Sequence, residues 1–565
     1  MRHQYNRPYQ YNRPRPYRSR RRGHLRIGRL ILLILILAAI IAGIVIGIMF
    51  LTKTGLFHKT TAGNGTDMPS ASIQEQTVAL PSADPNLVVQ ATAQAQPASN
   101  GLQSQILQNG AVLASYTREH AILFSGEYAT LNGVTTQGSG NLRNHANWGA
   151  FSSNAQSLDT LWNNAFASNG GFSSQPLIIR WDADIRLMMN LNDSAKQKDS
   201  LTEIIYPSAN GTIYFTDIDS GEATRDPIKT QIPFCGTPTL DPRGYPLLYA
   251  IQGSSDAAYL SIYNLIDGEL LYQNALSSLP TQSACSPLLA ANADTLIWND
   301  SNKIFTTRLN SNFDRAAGSI SISPDLPVEY SYTVNQSSEN RISSGIAAWK
   351  NYLYFADGSG LLQCVDLNTM TPVFAQNLDG SIAAPILIEE AADSVSIYTA
   401  TSQGGVADGN ATASVKKTNA LTGEILWEST YTCAYRANES GGALSAPKLG
   451  SGSLAGMLYI TLDGTADSPE KSQLLALDTT TGKPIFTYET AQSAKTSPAL
   501  AYSSNNAGYV IQYDTSGAAV LLDGKTGNVL KKVSSGLSAP SSPAGFGSLV
   551  ISGDSAGKIA CLEIK

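Results

Sequence analysis

From residue 157 to the last residue, short apolar runs alternate with polar turns at a nearly regular spacing. The turn has the form Asp/Asn-x-x-x-Gly and joins two apolar strands, most clearly in Ala476–Phe486, where Asp478 and Gly482 bound it. An Asp or Asn side chain accepts backbone N–H groups two residues further on, and Gly supplies the positive φ that closes a hairpin. The first turn position recurs at residues 217, 264, 310, 366, 419, 478, 523 and 563. Each unit is therefore predicted to contain a β-hairpin.

A second marker precedes each turn: a small residue or Gln, then Pro, then an apolar strand. Pro at the first position of a strand costs no ladder hydrogen bond, so it marks where the strand begins. Gly345 replaces Pro in the fourth copy, and Met370 replaces the turn Gly of the same unit. The other copies begin at Gln175, Thr237, Ser286, Ala384, Ala446, Ser497 and Ser542. Eight units of about 40–60 residues, each with about four strands, predict an all-β, eight-bladed β-propeller over residues 157–565.

The ends of this region predict how the ring closes. The last unit stops at Lys565 before its fourth strand, and residues 157–165, upstream of the first unit, have the pattern of a fourth strand. Pairing the two would remove an open sheet edge. Blade eight is therefore predicted to combine residues 157–165 with 541–565.

A different pattern, one continuous apolar run, lies near the N-terminus. Residues 30–51 are 22 uncharged residues, which as a helix span about 33 Å, enough for a hydrocarbon core of about 30 Å. The run is too long for a signal peptide and lacks a small-residue cleavage site. Ten Arg precede it and only Lys53 and Lys59 follow closely, so the positive-inside rule places the N-terminus in the cytoplasm. We expect a basic cytoplasmic tail (1–29), one transmembrane helix (30–51) and an extracytoplasmic body at the cell membrane.

Between the membrane run and the repeats, two segments lack a strong period. Residues 52–105 are rich in Thr, Ala, Ser, Gln, Gly and Pro and are predicted to be a flexible linker. Residues 106–156 contain scattered apolar pieces and are predicted to be a lead-in segment partly packed on the body. Five Cys, at 235, 285, 364, 433 and 561, leave at least one unpaired; most are expected to be buried, and their pairing is left open.

Charge narrows the range of functions. The net charge of −6 conceals a basic tail, because the residues after position 29 carry 28 basic against 44 acidic groups. A strongly anionic body argues against nucleic-acid binding by the propeller.

The repeat A-L-D-x-x-T-G-x-x-x-W/F in Ala476–Phe486 resembles the pyrroloquinoline-quinone-type (PQQ-like) propeller repeat, over about residues 157–565. The overall plan resembles bacterial membrane-anchored PQQ-like proteins. That family includes quinoprotein dehydrogenases and non-enzymatic members such as the outer-membrane assembly lipoprotein of the BamB kind. Fold alone does not separate them.

The residue types present in the repeats favour the non-enzymatic members of this family over the dehydrogenases. The resemblance implies that a dehydrogenase would carry calcium ligands, a catalytic Asp and usually a disulfide between adjacent Cys; no adjacent Cys pair, CxxCH motif or calcium-ligand run occurs. Asp217–Gly221 superficially resembles a calcium-binding loop but lacks its downstream ligands, and it is interpreted as the ordinary turn of the repeat. None of the five His lies within 157–565, which argues against triad and zinc chemistry there. Glu389-Glu390 is explained by a solvated loop, and the blade Trp residues (181, 298, 349 and 427) by packing.

One charged stretch, Thr224–Pro227 with Asp241–Tyr245, could line a ligand surface, although Arg–Asp pairing that fixes loops explains it better. No catalytic, cofactor-binding or metal-binding residue and no cofactor is predicted. The expected function is a non-catalytic, membrane-anchored scaffold or receptor that binds a protein or cell-wall polymer. The first alternative is a divergent PQQ-dependent oxidoreductase. The second is a polysaccharide-acting enzyme, which would need two carboxylates in one groove.

Overall fold

The structure, a computed structural model, describes residues 84–166, 170–254, 257–335, 340–402, 404–407, 410–435 and 441–565. The predicted basic tail and transmembrane helix lie outside these residues and stay predictions. Within the described ranges, no helix has the length and apolar character needed to cross a membrane.

Eight antiparallel sheets follow one another along the chain and form the predicted all-β, eight-bladed propeller. We number them blades 1–8 and give strands from the innermost outward. Blade 1 has Leu177–Arg180, Thr202–Pro207, Thr212–Asp217 and Ile228–Lys229; blade 2 has Phe234–Leu240, Leu247–Gly253, Ala258–Asn264 and Leu270–Leu276; blade 3 has Leu288–Ala290, Thr295–Asp300, Lys303–Arg308 and Val328–Val334; blade 4 has Ala347–Trp349, Tyr352–Ala356, Leu361–Asp366 and Thr371–Asn377.

The second half of the ring repeats this plan. Blade 5 has Leu387–Ala391, Ser394–Ala400, Asn410–Asn419 and Ile425–Ala434, with Gly404–Ala407 also on the third strand; blade 6 has a split first strand, Gly442–Ala443 and Lys448–Leu449, then Met457–Asp463, Ser472–Asp478 and Pro484–Glu489; blade 7 has Ala499–Tyr502, Gly508–Tyr513, Ala518–Asp523 and Val529–Ser534; blade 8 has Ala544–Phe546, Leu549–Gly553, Lys558–Ile564 and Leu158–Ala165.

Both sequence markers lie where the repeat predicted. The Pro markers and Gly345 lie one or two residues before an innermost strand, except Pro238, which lies within the strand Phe234–Leu240. The face of the ring at which these strands begin is called the proline face. The Asp-x-x-x-Gly turns join third and fourth strands at the opposite face, the turn face. Gly482 has φ 70° and its N–H donates to the Asp478 carbonyl oxygen (2.8 Å). Met370, at the Gly position of blade 4, adopts the same left-handed conformation with φ 53°.

Ring closure is confirmed. The strand Leu158–Ala165 pairs with Lys558–Ile564 in antiparallel register, with Leu158 opposite Ile564 and Trp162 opposite Cys561. An N-terminal strand thus completes the last blade, and a sheet edge that would otherwise be exposed is covered.

Two blades carry insertions at the turn face. Blade 1 holds two short helices, Ala183–Met188 and Asp193–Lys196, between its first and second strands. Blade 3 holds a hairpin, Asn312–Asp314 and Ser319–Ser321, between its third and fourth strands. The turn expected at Asn310 is therefore interrupted, since the chain leaves the blade there. Five 3₁₀ turns complete the described elements: Pro97–Asn100, Gln137–Ser139, Gln282–Ala284, Ala291–Ala293 and Gly452–Leu454.

The predicted flexible linker extends too far along the chain. Residues 84–105 lie on the body: Val89 and Ala95 are buried, and the Gln90 N–H donates to the Leu421 carbonyl (2.7 Å). The strand Leu102–Gln108 pairs with the outer strand of blade 3. The strand Ala111–Leu113 pairs with the other edge of Leu102–Gln108. The few apolar residues of this segment show no period in sequence because each one packs against a different part of the ring.

The cysteine pairing left open by the sequence is resolved. Cys235 and Cys285 form a disulfide that joins blade 2 to the segment entering blade 3. Cys364, Cys433 and Cys561 are unpaired and buried, as expected of small apolar residues.

Candidate functional site: the central channel and the two faces

The most unexpected feature is what fills the middle of the ring. Residues 132–151, which we call the channel segment, hydrogen-bond to the innermost strand of every blade or to the residues flanking it. In a propeller, the innermost strand of each blade has one edge that faces the central channel and lacks a strand partner. The segment satisfies these edges through strand pairing at Asn132–Val134 (blade 1) and Asn147–Trp148 (blade 8), and through backbone bonds from Thr135, Asn141, Leu142, Asn144 and Phe151 to blades 2, 4, 5, 6 and 7.

Blade 3 is reached by a side chain, that of Arg143. Its Nη2 donates to the carbonyl oxygens of Ser286 (2.8 Å) and Pro287 (3.3 Å). Nε donates to the Ile346 carbonyl of blade 4 (2.9 Å), and Nη1 to Thr136 Oγ1 (2.6 Å) and to the Gln137 carbonyl (2.9 Å). The guanidinium is 1% exposed, and this burial lowers the pKa of Arg143 to about 10. Five neutral acceptors thus hold one buried cation in the channel.

Two further basic groups lie beside it. The Lys448 side chain of blade 6 is 1% exposed, and its Nζ has no hydrogen-bond partner among the described residues. Burial and the charge of Arg143 lower the pKa of Lys448 to about 7. His145 contacts Asn144 Oδ1 through Nδ1 (2.6 Å), and desolvation together with Lys448 lowers its pKa to about 4. His145 lies outside residues 157–565, but the segment that carries it folds into the channel of the ring.

These residues do not fit PQQ with calcium in the channel. The space between the innermost strands is taken by Leu142, Arg143 and Asn144, and the donors of Arg143 are already satisfied. The channel segment contains no Asp or Glu, and its charged neighbours are basic, whereas calcium requires oxygen ligands that are mostly carboxylates.

At the proline face the channel widens into a funnel of about 300 Å³. Its wall consists mostly of hydroxyl and amide side chains from the starts of the innermost strands, among them Gln175, Thr237, Ser497 and Ser542, and Gln137 of the channel segment also lines it. The Gln137 Oε1 atom is buried with no hydrogen-bond partner among the described residues. The funnel therefore offers mostly neutral hydrogen-bonding groups, together with the charged side chains of Lys495 and Asp514.

At the turn face, a second cavity of about 370 Å³ lies between blades 1 and 2. This turn-face cleft is lined by Thr130, Leu131, Asn132, Arg180, Asp182, Arg243, Gly244, Tyr245 and Arg315. It includes the charged stretch that the sequence singled out. Arg243 binds Asp241 through Nε (2.9 Å) and Nη2 (2.5 Å), and Asp294 through Nη1 (2.7 Å). These carboxylates raise the pKa of Arg243, although burial opposes them.

The partner expected for the other charged stretch is different. Arg225 pairs with Glu203, not with Asp226: Nη2 lies 2.6 Å from Oε2 and Nε 3.1 Å from Oε1. Both side chains are buried, and Trp181 Nε1 also donates to Glu203 (2.9 Å). The predicted Arg–Asp pairing is thus confirmed at Arg243 and wrong at Arg225, whose partner is a glutamate.

The remaining candidates have structural partners. Asp217 Oδ1 accepts the N–H groups of Asp219 (2.8 Å) and Ser220 (3.2 Å), the pattern of a repeat turn. Glu389 accepts from Tyr398 (2.5 Å) and Lys417 (3.0 Å), and Glu390 accepts from Trp349 (2.9 Å). Among the residues that the structure describes, no three His, Cys, Asp or Glu side chains are grouped so as to hold a metal ion.

The Trp residues of the blades pack as expected. Trp181, Trp298 and Trp349 are buried, while Trp427 is half-buried against the neighbouring blade. Sequence reasoning missed Arg143, Lys448 and Arg180. Arg143 lies outside the repeat, and Arg180 and Lys448 lie in innermost strands at positions that no repeat marker singles out.

Fold and repeats together define the class: an eight-bladed propeller of PQQ-like repeats, as the resemblance predicted. Residues 411–565 match the family model described as outer membrane protein assembly factor BamB. This stretch runs from the third strand of blade 5 to the end of the chain. No curated protein matches the chain.

Similar solved structures include one designed protein and two natural ones. The chain is similar to the computationally designed Ika8 protein (15% identity, TM-score 0.43, covering 72% of this chain and 100% of that one). It is similar to BamB from Moraxella catarrhalis (14% identity, TM-score 0.42, 70% and 100%) and to a europium-containing methanol dehydrogenase (10% identity, TM-score 0.40, 68% and 90%). Similarity at these values assigns no function to this chain.

Proposed function

We propose that this protein is a non-catalytic scaffold or receptor in the bacterial envelope, anchored by residues 30–51, whose propeller binds a protein partner outside the membrane. The observation that carries the proposal is the filled channel. The site in which a quinoprotein oxidoreductase would hold PQQ is taken by the chain itself, through Arg143 and its neighbours. What the ring offers to other molecules is its two faces, and loops on a rigid scaffold are the usual place for binding residues.

Two further observations support this function. The family model that matches residues 411–565 is named for an outer membrane protein assembly factor, and propellers of that kind bind protein partners. The disulfide Cys235–Cys285 suits an oxidising compartment, since structural disulfides persist outside the cytoplasm.

Site-directed photo-crosslinking in intact cells tests the partner. A photoreactive residue would replace Ser555 on the proline face, Thr480 on the turn face, or Lys531 on an outer strand as the control; all three are exposed. We expect an adduct of one defined mass from one face, none from Lys531, and loss of the adduct when unlabelled protein is co-expressed in excess. Adducts that resist this competition, or that form equally at Lys531, contradict a specific protein partner. Labelling of a cell-wall polymer instead would replace the protein partner with the polymer.

A titration of the full-length chain in detergent with PQQ and Ca²⁺, followed by heat and absorbance, tests the non-catalytic assignment. We expect no saturable binding. Saturation at micromolar concentration or tighter would overturn the proposal in favour of an oxidoreductase.

A further inference from the structure

The two departures from the repeat meet above blade 2. Arg315, in the turn of the blade 3 hairpin, donates through Nη2 to Asp182 (3.0 Å) and through Nε to Asp184 (3.3 Å), both in the blade 1 insertion. Phe313 of the same hairpin lies against Tyr245, with ring centroids 5.1 Å apart. A regular blade would leave this part of the turn face open. The insertions instead enclose the turn-face cleft, so the cavity exists only where this chain departs from its own repeat.

Three arginines line this cleft, but their charges are not equally available. Arg243 uses Nε, Nη1 and Nη2 on Asp241 and Asp294, as described above. Arg315 is held by the two carboxylates of the blade 1 insertion. Within the described part of the chain, no Asp or Glu lies within ion-pair distance of Arg180, whose one hydrogen bond runs from Nε to Thr202 Oγ1 (3.3 Å). Arg180 is therefore the cleft residue that carries an uncompensated positive charge.

Aromatic rings hold Arg180 in place instead of a carboxylate. Its guanidinium lies 5.1 Å from the Phe546 ring centroid and 5.6 Å from that of Trp148, and these two rings stack on each other at 4.7 Å. Cation–π contacts orient the guanidinium without neutralising it. An oriented guanidinium presents parallel N–H donors that match a carboxylate or phosphate group.

We propose that the turn-face cleft is a binding site for a small ligand that carries one carboxylate or phosphate group, with Arg180 as the charged contact. Asp182 also lines the cleft and is largely exposed. Its negative charge limits the site to a ligand with a single anionic group. Ligand binding in this cleft does not depend on the protein partner proposed above, and either assignment can fail without the other.

Calorimetric titration of the full-length protein in detergent, at low ionic strength, tests the site with two matched probes. Benzoate carries the carboxylate and phenyl phosphate carries the phosphate on the same ring, so the comparison identifies the preferred anion. We expect saturable binding of at least one probe. Arg180→Gln should weaken it about tenfold or more, since the charge-assisted hydrogen bond to the anion is lost. Arg341→Gln, an exposed arginine of the segment entering blade 4, is the control and should bind as the wild type does.

A second variant should act in the opposite direction. Asp182→Asn removes the negative charge that lines the cleft, while Asp184 still pairs with Arg315; binding should become tighter. A thermal melt of each variant checks that the fold is retained. No saturable binding of either probe, equal binding by the wild type and Arg180→Gln, or weaker binding by Asp182→Asn would each overturn the site.

Discussion

The indole ring of Trp427, on the outer strand of blade 5, lies against Gly482 in the turn of blade 6. A Cβ atom at Gly482 would come within 2.6 Å of the ring, and Trp427 Nε1 donates to the Thr479 carbonyl of the same turn (3.0 Å). Trp162 of blade 8 repeats this relationship with Gly221 and Ile218 of blade 1 (2.9 Å). The Gly and the W/F of the repeat are thus the two halves of one contact between neighbouring blades.

Substitution of Gly482 by Ala should destabilise the protein through this contact. The positive φ of 70° costs about 1–2 kcal/mol for a residue with a Cβ, and overlap with Trp427 should add about 1–3 kcal/mol. The matched control is Gly110→Ala, which has a similar φ of 76° but no atom within 4 Å of the added Cβ. Urea unfolding of both variants should show the larger loss at Gly482. Equal losses would mean that backbone conformation alone requires the glycine.

Removal of the Arg143 side chain should weaken the whole ring. Arg143→Ala leaves the carbonyl oxygens of Ser286, Ile346 and Gln137 without their donor, and each buried unsatisfied group costs about 1–3 kcal/mol. We expect the free energy of unfolding to fall by about 3 kcal/mol or more, measured by denaturant unfolding. Arg143→Lys should lose less stability than Arg143→Ala but should not reach that of the wild type, because an ammonium cannot reach acceptors on both blades 3 and 4. A loss below about 0.5 kcal/mol, typical of a surface site, would contradict a structural role.

Lys448 should make stability depend on pH. Its pKa is about 7 in the folded protein against 10.5 as the ordinary value, so between these pH values the unfolded state binds the additional proton. The destabilisation by Lys448 is therefore fully present below about pH 7 and is lost as the pH rises toward 10.5. Lys448→Met should be more stable than the wild type at pH 6–7, by up to about 5 kcal/mol, and the difference should shrink by pH 10. A difference that does not change with pH would show that Lys448 does not titrate in this window.

Reduction of the Cys235–Cys285 disulfide should lower stability without unfolding the ring. The bridge joins residues 50 positions apart, for which cross-linking contributes about 2–4 kcal/mol. Thermal unfolding with and without a thiol reductant measures the effect. The double variant Cys235→Ser with Cys285→Ser should melt at the lower temperature in both conditions. Cys364→Ala, which keeps the disulfide, should still respond to the reductant.

The blades could be predicted because their signals are local. Asp478 and Gly482 lie in one turn, Pro498 immediately precedes one strand, and the same physics repeats eight times along the chain. Ring closure by residues 157–165 was also predictable, because a missing fourth strand and an unassigned strand pattern complement each other. The insertions could not be predicted, since the hairpin after Asn310 and the helices after Trp181 interrupt the repeat and have no sequence pattern of their own.

The sequence by itself determined the all-β repeat, the number of blades and the strand that closes the ring, because each depends on turn chemistry and on alternation within a few residues. Only the tertiary structure decided what occupies the channel and which arginine lines the turn-face cleft without a carboxylate partner among the described residues. The channel segment contains no helical or strand period: its partners are the unpaired inner edges of eight strands that lie far apart in sequence. Arg143 and Arg180 look alike in the chain; one is enclosed by carbonyl oxygens and the other lies over two aromatic rings, and the closed ring alone brings those partners together.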